Sequence, residues 1–539
     1  MYWSSRMSRR QALQLGLGLT AAGLLQACTP FGASTPARQR KTTLKIGASA
    51  AVANLDKDPR GFLSRGDNTA AVNLYDSLVG FATKPAALGS SVMDPSRPVG
   101  KLAESWTVSP DGKTYTFKLR KGVMSQYGNE LTSADVVWTH NRDVTANLNA
   151  EVDNKIVGLP AGGVQAIDNY TVQYTLSQPS LIFIPVWYAI LLAIYDSTEA
   201  QKHVTADDPA ALTWLAKNAC GFGPYKVTDW VPGQSITFQA RSDYYGPKPK
   251  NQSIIYLNIP DSANRLAQLE RGDLDLTEDP TLDEASHAKA TQGLQLVSLP
   301  ANKLVRLQFN HQTAPFNNVL VRQAVAYAIP YNSIIKDVYK GFAIQSKSVI
   351  PESIPGSDDS SWNYATDASK ATSLLRQAGV STPVTLPLMI GPSPEAEQVA
   401  LAIRTALAPV GFNVVVDKTT AGVYASRVPK SDFTVFLNDT SRAAVLDAGY
   451  AFGIWFRTGV PANFGHYSNP QIDALITQAT GETDPARRLS ILQQAQRVAL
   501  QDVAAVPIAL LNQNVPMRAG MSGYLLAPDL LTRFATLQG

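Results

Sequence analysis

Five histidines, His140, His203, His287, His311 and His466, are scattered through the 539 residues. No two stand four apart, the spacing that sets a pair of imidazoles on one helix face, and no glutamate-bearing zinc motif occurs, so no metal site is expected from them. Ser333-Ile334-Ile335-Lys336 has the Ser-x-x-Lys spacing in which a lysine activates a serine nucleophile, but no Ser-Asp-Asn or Lys-Thr-Gly partner follows. The "GFGPY" turn at 221 to 225 lacks the spacing of a phosphate-cradling loop. Nothing assembles a nucleophile, a base and an oxyanion donor. An enzyme is therefore not expected, nor a cofactor, and a hydrolase is the least favoured class.

The two cysteines carry more information. Cys28 ends an apolar run, Ala12 to Leu25, of 14 residues without a charge, preceded by Arg6, Arg9 and Arg10 and no acid. A membrane span needs about 20 apolar residues, whereas a basic flank and a short apolar segment make a secretory signal. Leu25-Gln26-Ala27-Cys28 resembles the lipobox of bacterial lipoproteins, which implies cleavage before Cys28 and acylation of its thiol. "SRRQAL" at 8 to 13 resembles a twin-arginine signal except for Ala12, so Sec and Tat both stay open. The stretch "TPFGASTPARQRKTT" then reads as a flexible tether. An exported chain held to the bilayer through Cys28 is expected, with Cys220 left alone and no intrachain disulfide.

Composition fits a large globular protein: 45% hydrophobic and 17% charged residues, with a formal net charge of +4. Without the three arginines of the signal, 44 basic residues face 43 acidic ones, so no nucleic-acid surface is implied. A second apolar stretch, "LIFIPVWYAILLAI" at 181 to 194, is again 14 residues long and contains Pro185. It reads as buried core.

The elements that would hold a site begin with "LKIGAS", a strand leading into a loop. Val72, Tyr75 and Val79 follow at helical spacing. "ESWTVSPDGKTYTFKLRKGV" alternates around "SPDG" as a hairpin with one wet face, and Thr132 with Asp135 starts a capped helix. "GFGPYKVTDWVPGQSITFQARSDYYG" gives two strands about Pro232-Gly233, suited to a type II turn. Asp261 caps a helix that Gly272 ends. From 304 onward strands ("LVRLQFN", "VTLPLMI", "NVVVD", "DFTVFLND") alternate with helices at 318 to 328, 332 to 339, 368 to 378 and 394 to 407. That alternation predicts an α/β sheet. A long helix over 484 to 503 leads into the strand "AVPIALL".

Several of these stretches together resemble the family 5 solute-binding proteins, the dipeptide and oligopeptide binding components of ABC importers. The most diagnostic is "LAESWTVSPDGKTYTFKLRKGVMSQYGNELTSADVVW"; "RLAQLERGDLDL", "LQFNHQTAPFNNVLVRQAVAYAI" and "YSNPQIDALITQA" share the likeness, which runs from about residue 44 to 520. The resemblance implies an α/β, two-lobed periplasmic-binding-protein fold of type II with the ligand cleft between the lobes. Its implied division is a signal peptide at 1–27, a tether at 28–43, lobe I at 44–77, 221–302 and 510–539, a sub-domain at 78–220 inserted into lobe I, and lobe II at 303–509. It further implies a monomer that delivers a small solute, foremost a short peptide, to ABC permease subunits.

In peptide-binding members an aspartate at a strand-to-loop junction of lobe II pairs with the peptide's amino terminus. Asp439, with Asn438 beside it, stands in the matching region "DFTVFLNDTSRAAVLDAGYAFGIWF". No basic residue lies between Phe433 and Leu437, where some members carry an arginine, and Arg442 is the substitute from the loop. Asp447-Ala448 replaces the usual Asp-Pro pair. These departures keep a non-peptide solute (a sugar, opine, metal chelate or siderophore) open as the alternative, as they do a ligand-sensing or scaffold lipoprotein on the same fold. Tyr424 and Trp455 are aromatic candidates whose plain alternative is core. Ala50 and Val52 would offer backbone groups from the loop after the first strand. Phe222 stands beside the expected hinge, and Asn310 is a polar candidate at a strand end. Gly221 and Gly223 are read as serving backbone conformation.

Overall fold

The computed structural model describes residues 41–60, 63–188, 190–443 and 445–539. Cys28 and the expected signal peptide therefore lie outside the described residues, as does the tether up to residue 40.

Among the described residues, eleven strands form one mixed sheet. In chain order they are β1 (Thr43–Ala48), β2 (Tyr225–Val231), β3 (Ser235–Ala240), β4 (Ser253–Asn258), β5 (Leu276–Thr277), β6 (Leu294–Phe309), β7 (Ala343–Gln345), β8 (Val384–Ile390), β9 (Phe412–Lys418), β10 (Val435–Ser441) and β11 (Ala505–Arg518). Their spatial order is β9-β8-β10-β6-β11-β5-β1-β4-β3-β2, with β7 also on β11. Pairing is parallel for β9-β8-β10 and for β5-β1-β4, as the strand-helix alternation predicts. At the centre, however, β6 runs antiparallel to both β10 and β11.

The two long central strands join two hydrophobic cores. Val297, Leu299 and Ala301 of β6, with Val515 and Met517 of β11, pack with Leu44, Ile46, Phe238, Ile254 and Tyr256 in lobe I. Val305, Leu307 and Phe309, with Val506, Ile508 and Ala509, pack with Leu386, Leu388, Val399, Ile403 and Leu437 in lobe II. Each crossing strand thus contributes one end to each lobe. Between the two ends the register slips. Pro300 faces Asn512 and Leu304 faces Leu510, so β6 spends four steps where β11 spends two. Such a bulge bends its strand and re-aims the side chains in it; here it contains Ala301, Asn302 and Lys303.

A third core belongs to a four-stranded antiparallel sheet, ordered Ala103–Val108, Thr114–Leu119, Thr171–Thr175 and Val164–Asp168. The "SPDG" hairpin forms its first pair. Phe117, Tyr174, Phe183 and Trp187 meet there ring to ring at 5.4 to 6.3 Å. The apolar stretch at 181 to 194 supplies Phe183, Val186, Trp187, Leu192 and Ile194 to this core. Among the described residues no helix is long and apolar enough to cross a membrane.

Local chemistry explains most element ends. Thr132 and Asp135 form the expected capping box at the helix Ser133–Thr145. Asp261 caps Ser262–Arg271, which ends at Gly272 with φ of 80°. The helix expected over 332 to 339 instead begins with one turn, Tyr331–Ser333, and continues as a π-helical segment over Ile334–Val338. That widened turn leads to Tyr339, which reaches the cleft described next.

Candidate functional site

A cavity of about 440 Å³ opens between the lobes, within the usual range for a small-molecule site. Lobe I contributes Asp279 and Thr281 from the turn after β5. The crossing strands form the floor with Lys303, Leu511, Asn512, Gln513 and Asn514. Lobe II supplies Tyr339, Phe342, Ser393, Glu395, Asp439 and Arg442.

The lobe II wall is built around one carboxylate. Asp439 lies near the end of β10, where Oδ2 accepts from Ser393 Oγ at 2.7 Å. The same hydroxyl accepts from Ala396 N at 3.0 Å, capping the helix Pro394–Leu407. Asp439 is thereby tied to a helix start, where orphan N–H groups and the macrodipole favour negative charge. Its Oδ1 carries no hydrogen bond among the described residues. Tyr339 stands near; burial, then the Asp439 and Glu395 carboxylates, push its phenol well above the ordinary tyrosine range.

On the opposite side, Asp279 holds a left-handed backbone with φ of 46°, a conformation that aspartate tolerates better than most residues. Its Oδ2 accepts from Ser49 Oγ at 2.7 Å and pairs with Arg65 Nε at 3.1 Å. On the floor, Lys303 Nζ donates to Gln513 Oε1 at 3.0 Å. Burial pushes the Lys303 ammonium down to about 8, Asp279 pulling it back and Arg65 and Arg442 adding to the depression.

Three polar atoms on this lining are buried with no hydrogen-bond partner among the described residues: the hydroxyl of Tyr339 and the Oδ1 atoms of Asn512 and Asn514. Buried polar groups in native proteins are nearly always satisfied. All three belong to residues that line the cavity, although the atoms themselves are withdrawn from it.

Of the residues singled out in the sequence, Asp439 and Arg442 line this cavity. The others are found elsewhere, each with a defined partner. Asn438 Nδ2 donates to Gln308 Oε1 at 3.0 Å. Asn310 Nδ2 donates to the carbonyls of Ser431 and Phe433, a strand-end role. Tyr424 donates its hydroxyl to the Leu437 carbonyl at 3.0 Å, its ring set against Phe436. Asp447 caps the helix Ala448–Phe456 and grips Arg488 through both oxygens at 2.7 Å. Trp455 is core, with the Arg306 guanidinium 4.1 Å above its ring. Phe222 is fully buried in the core of the four-stranded sheet. Val52 is buried and its carbonyl accepts from Trp230 Nε1, while the Ala50 carbonyl packs close against Gly66. The loop holding Ala50 and Val52 bears on the cavity through Ser49, which braces Asp279.

Lys303, Asn512, Gln513, Asn514, Tyr339 and Ser393 were not legible as site residues in the same way. One signal was available. The triplet Asn512-Gln513-Asn514 interrupts a strand that is otherwise apolar, and a polar run inside a central strand calls for a polar neighbour.

The family model for bacterial extracellular solute-binding proteins, family 5, matches residues 97–462. The chain is 28% identical over 498 residues to the probable D,D-dipeptide-binding periplasmic protein DdpA of Escherichia coli strain K12, covering 91% of this chain and 92% of that protein. Among solved structures it is similar to HbpA2 from Haemophilus parasuis, with a TM-score of 0.81 at 23% identity over 92% of this chain and 99% of the other. It is also similar to the ABC transporter-associated periplasmic binding protein DppA from Helicobacter pylori in complex with the peptide STSA. That match has a TM-score of 0.71 at 25% identity, covering 92% and 98% of the two chains.

Proposed function

The chain belongs to the bacterial extracellular solute-binding proteins of family 5, and from that membership we propose that it captures a short peptide between its lobes for delivery to an ABC importer. It is a binding protein and not an enzyme. The observation that carries the peptide reading is the cavity itself: side chains of both charge signs and a polar strand floor line a space touched by both lobes and by the strands joining them. A peptide offers an ammonium for Asp439 and backbone N–H and C=O groups for the polar residues of the cleft floor. The likeness to a D,D-dipeptide-binding protein and to a peptide complex supports the same class.

The mechanism is a population shift. A ligand that touches both lobes binds the closed form better than the open one and favours closure by that difference alone. Bending occurs where β6 and β11 cross between the lobes, a hinge in the usual sense.

Asp439 supplies the decisive test. Asp439→Ala should weaken binding of a free-amine peptide by about 1.5–3 kcal/mol, the worth of a hydrogen bond to a charged group, and leave its N-acetylated counterpart nearly unchanged. Calorimetric titration of the two peptides measures this, and equal losses would remove the assigned role. The proposal includes an anchor: acylation of Cys28 holds the folded part to the outer face of the membrane or within the periplasm. Cys28→Ser should move the protein from the membrane fraction to the soluble one, and retention on the membrane would sink the anchor.

A further inference from the structure

The end of lobe I away from the cleft is basic. β1, β4 and β5 run parallel, so their first residues share one end of the sheet, while β1 and β5 lead at the other end into Ser49 and Asp279 beside the cleft. At the starting end Lys45, Lys226, Lys248 and Lys250 are exposed and in no ion pair among the described residues. The aspartates there are already matched: Asp275 by Lys41 at 2.8 Å and Arg518 at 2.6 Å, Asp273 by Arg271 at 3.0 Å, and Asp243 by Arg241 at 2.9 Å. Gly539 lies against Lys41; its carboxylate offsets one of the four lysines and leaves this end positive.

The strand register gathers these lysines where the chain enters lobe I. Lys226 pairs with Gln239, Gln239 with Ser253 and Ser253 with Thr43, and three strand spacings put Lys226 about 15 Å from the start of β1. Lys250 N donates to the Ala535 carbonyl and Gln252 N to the Thr42 carbonyl, which fastens the loop carrying Lys248 and Lys250 beside the same point. Arg38 and Arg40 precede it in the sequence. Cys28 is 13 residues before Lys41, and a flexible chain of that length spans about 20 Å. An acyl anchor at Cys28 therefore keeps this end of the molecule close to the headgroups, within a few Debye lengths of about 8 Å each.

We propose that the basic end of lobe I docks on the anionic phospholipid surface to which Cys28 is anchored, so that lobe I stands on the bilayer and lobe II is carried outward. This rests on the acylation of Cys28 and adds a second, electrostatic contact that sets how the molecule is turned. Each lysine near an anionic surface is attracted only weakly, but the short linker makes docking intramolecular, and several weak contacts then act at high effective concentration. Docking leaves the cleft free. Five residues of β11, about 17 Å at the usual rise, separate Arg518 at the basic end from Gln513 on the cleft floor, and β6 pairs with Arg518 at Leu294 before running on to Phe309 in lobe II.

The test places the full mature protein, purified from membranes, in vesicles of phosphatidylcholine alone or with about one third phosphatidylglycerol, and follows acetylation of each lysine by mass spectrometry. On the anionic vesicles Lys45, Lys226, Lys248 and Lys250 should react about threefold or more slowly than on the neutral ones, and the difference should vanish at about 0.5 M NaCl. Lys370 and Lys430, exposed on lobe II, should react alike on both. In a variant combining Lys226→Gln, Lys248→Gln and Lys250→Gln, Lys45 should lose its protection while the protein still floats with the vesicles. Equal rates on the two vesicles, slowing on both alike, or slowing of the lobe II lysines as well would overturn the docking face and leave the anchor standing. Failure of the wild type to float with either vesicle would overturn both. The comparison of vesicles on the wild type needs no variant to fold.

Discussion

His311 follows the lobe II end of β6, its ring 5.1 Å from that of Tyr467 and its Nε2 3.0 Å from the Ala504 carbonyl. Accepting from Nε2–H, that carbonyl fixes the neutral tautomer with the proton on Nε2. Burial, and then the Arg322 guanidinium, hold the ring down to about 3 against an ordinary 6.5. The sign of the linkage follows: below pH 6.5 the unfolded chain takes up a proton that the folded chain refuses, so stability contributed above 6.5 is lost as pH falls toward 3. Between pH 7.5 and pH 5 this residue should cost the fold about 2 kcal/mol, at 1.36 kcal/mol per pH unit below 6.5. Denaturant titrations of the wild type and His311→Gln at both pH values should show the acid loss smaller in the variant by that amount. An equal loss would mean that the imidazole titrates freely in the native protein. The other histidines read as scattered residues in the sequence are dispersed in space as well. His203 stacks on Trp214 at 3.9 Å, and His287 meets Glu270 at 2.7 Å.

At the scale of elements, Gly221 and Gly223 show how a residue type can be noticed for one reason and needed for another. The sequence suggests conformational freedom, but neither has a positive φ. A Cβ on Gly221 would lie 2.4 Å from Tyr75 Cδ1, and one on Gly223 would lie 2.4 Å from the Leu74 carbonyl carbon. The requirement is close approach of two backbones, sealed by Gly223 N donating to the Leu74 carbonyl at 3.0 Å. Gly223→Ala should therefore destabilise the protein by about 1–3 kcal/mol through overpacking, read as a lower denaturant midpoint; an unchanged midpoint would show that the Leu74 backbone yields. Elements governed by local chemistry were legible: the "SPDG" hairpin, the Thr132 cap, and Gly233 with φ of 77° in the turn between β2 and β3. The crossing strands were read too short, β6 from 304 and β11 only to 511, although they run over 294–309 and 505–518. Pro300 and the Asn-Gln-Asn triplet broke the apolar pattern by which a central strand is recognised. Those interruptions are the hinge and the cleft floor, so the least strand-like residues of the two strands lie where the ligand is expected. Asp439 and Arg442 were found through the family resemblance, which pointed to the end of the strand now seen as β10 and the loop after it. Lys303 was not, because nothing local distinguishes a cleft lysine from a solvated one.

At the scale of the molecule, the family likeness supplied what periodicity could not, an architecture in which the chain passes between lobes more than once. Alternating strands and helices from 304 onward pointed to an α/β sheet, and β9-β8-β10 pair in parallel there, whereas the opposite edge, β4-β3-β2, pairs antiparallel. The antiparallel centre comes from contacts between β6 and β11, nearly two hundred residues apart in the chain, which no window of sequence contains. One consequence concerns how the protein comes apart. Because β6 and β11 each place side chains in both cores, neither half retains an intact sheet once the other has melted. A chain of this length would ordinarily unfold in stages. Here a scanning calorimeter should record a single endotherm for the two lobes, and two well-separated ones would refute the coupling. The ribbon that lets the halves move against each other also makes them fail together.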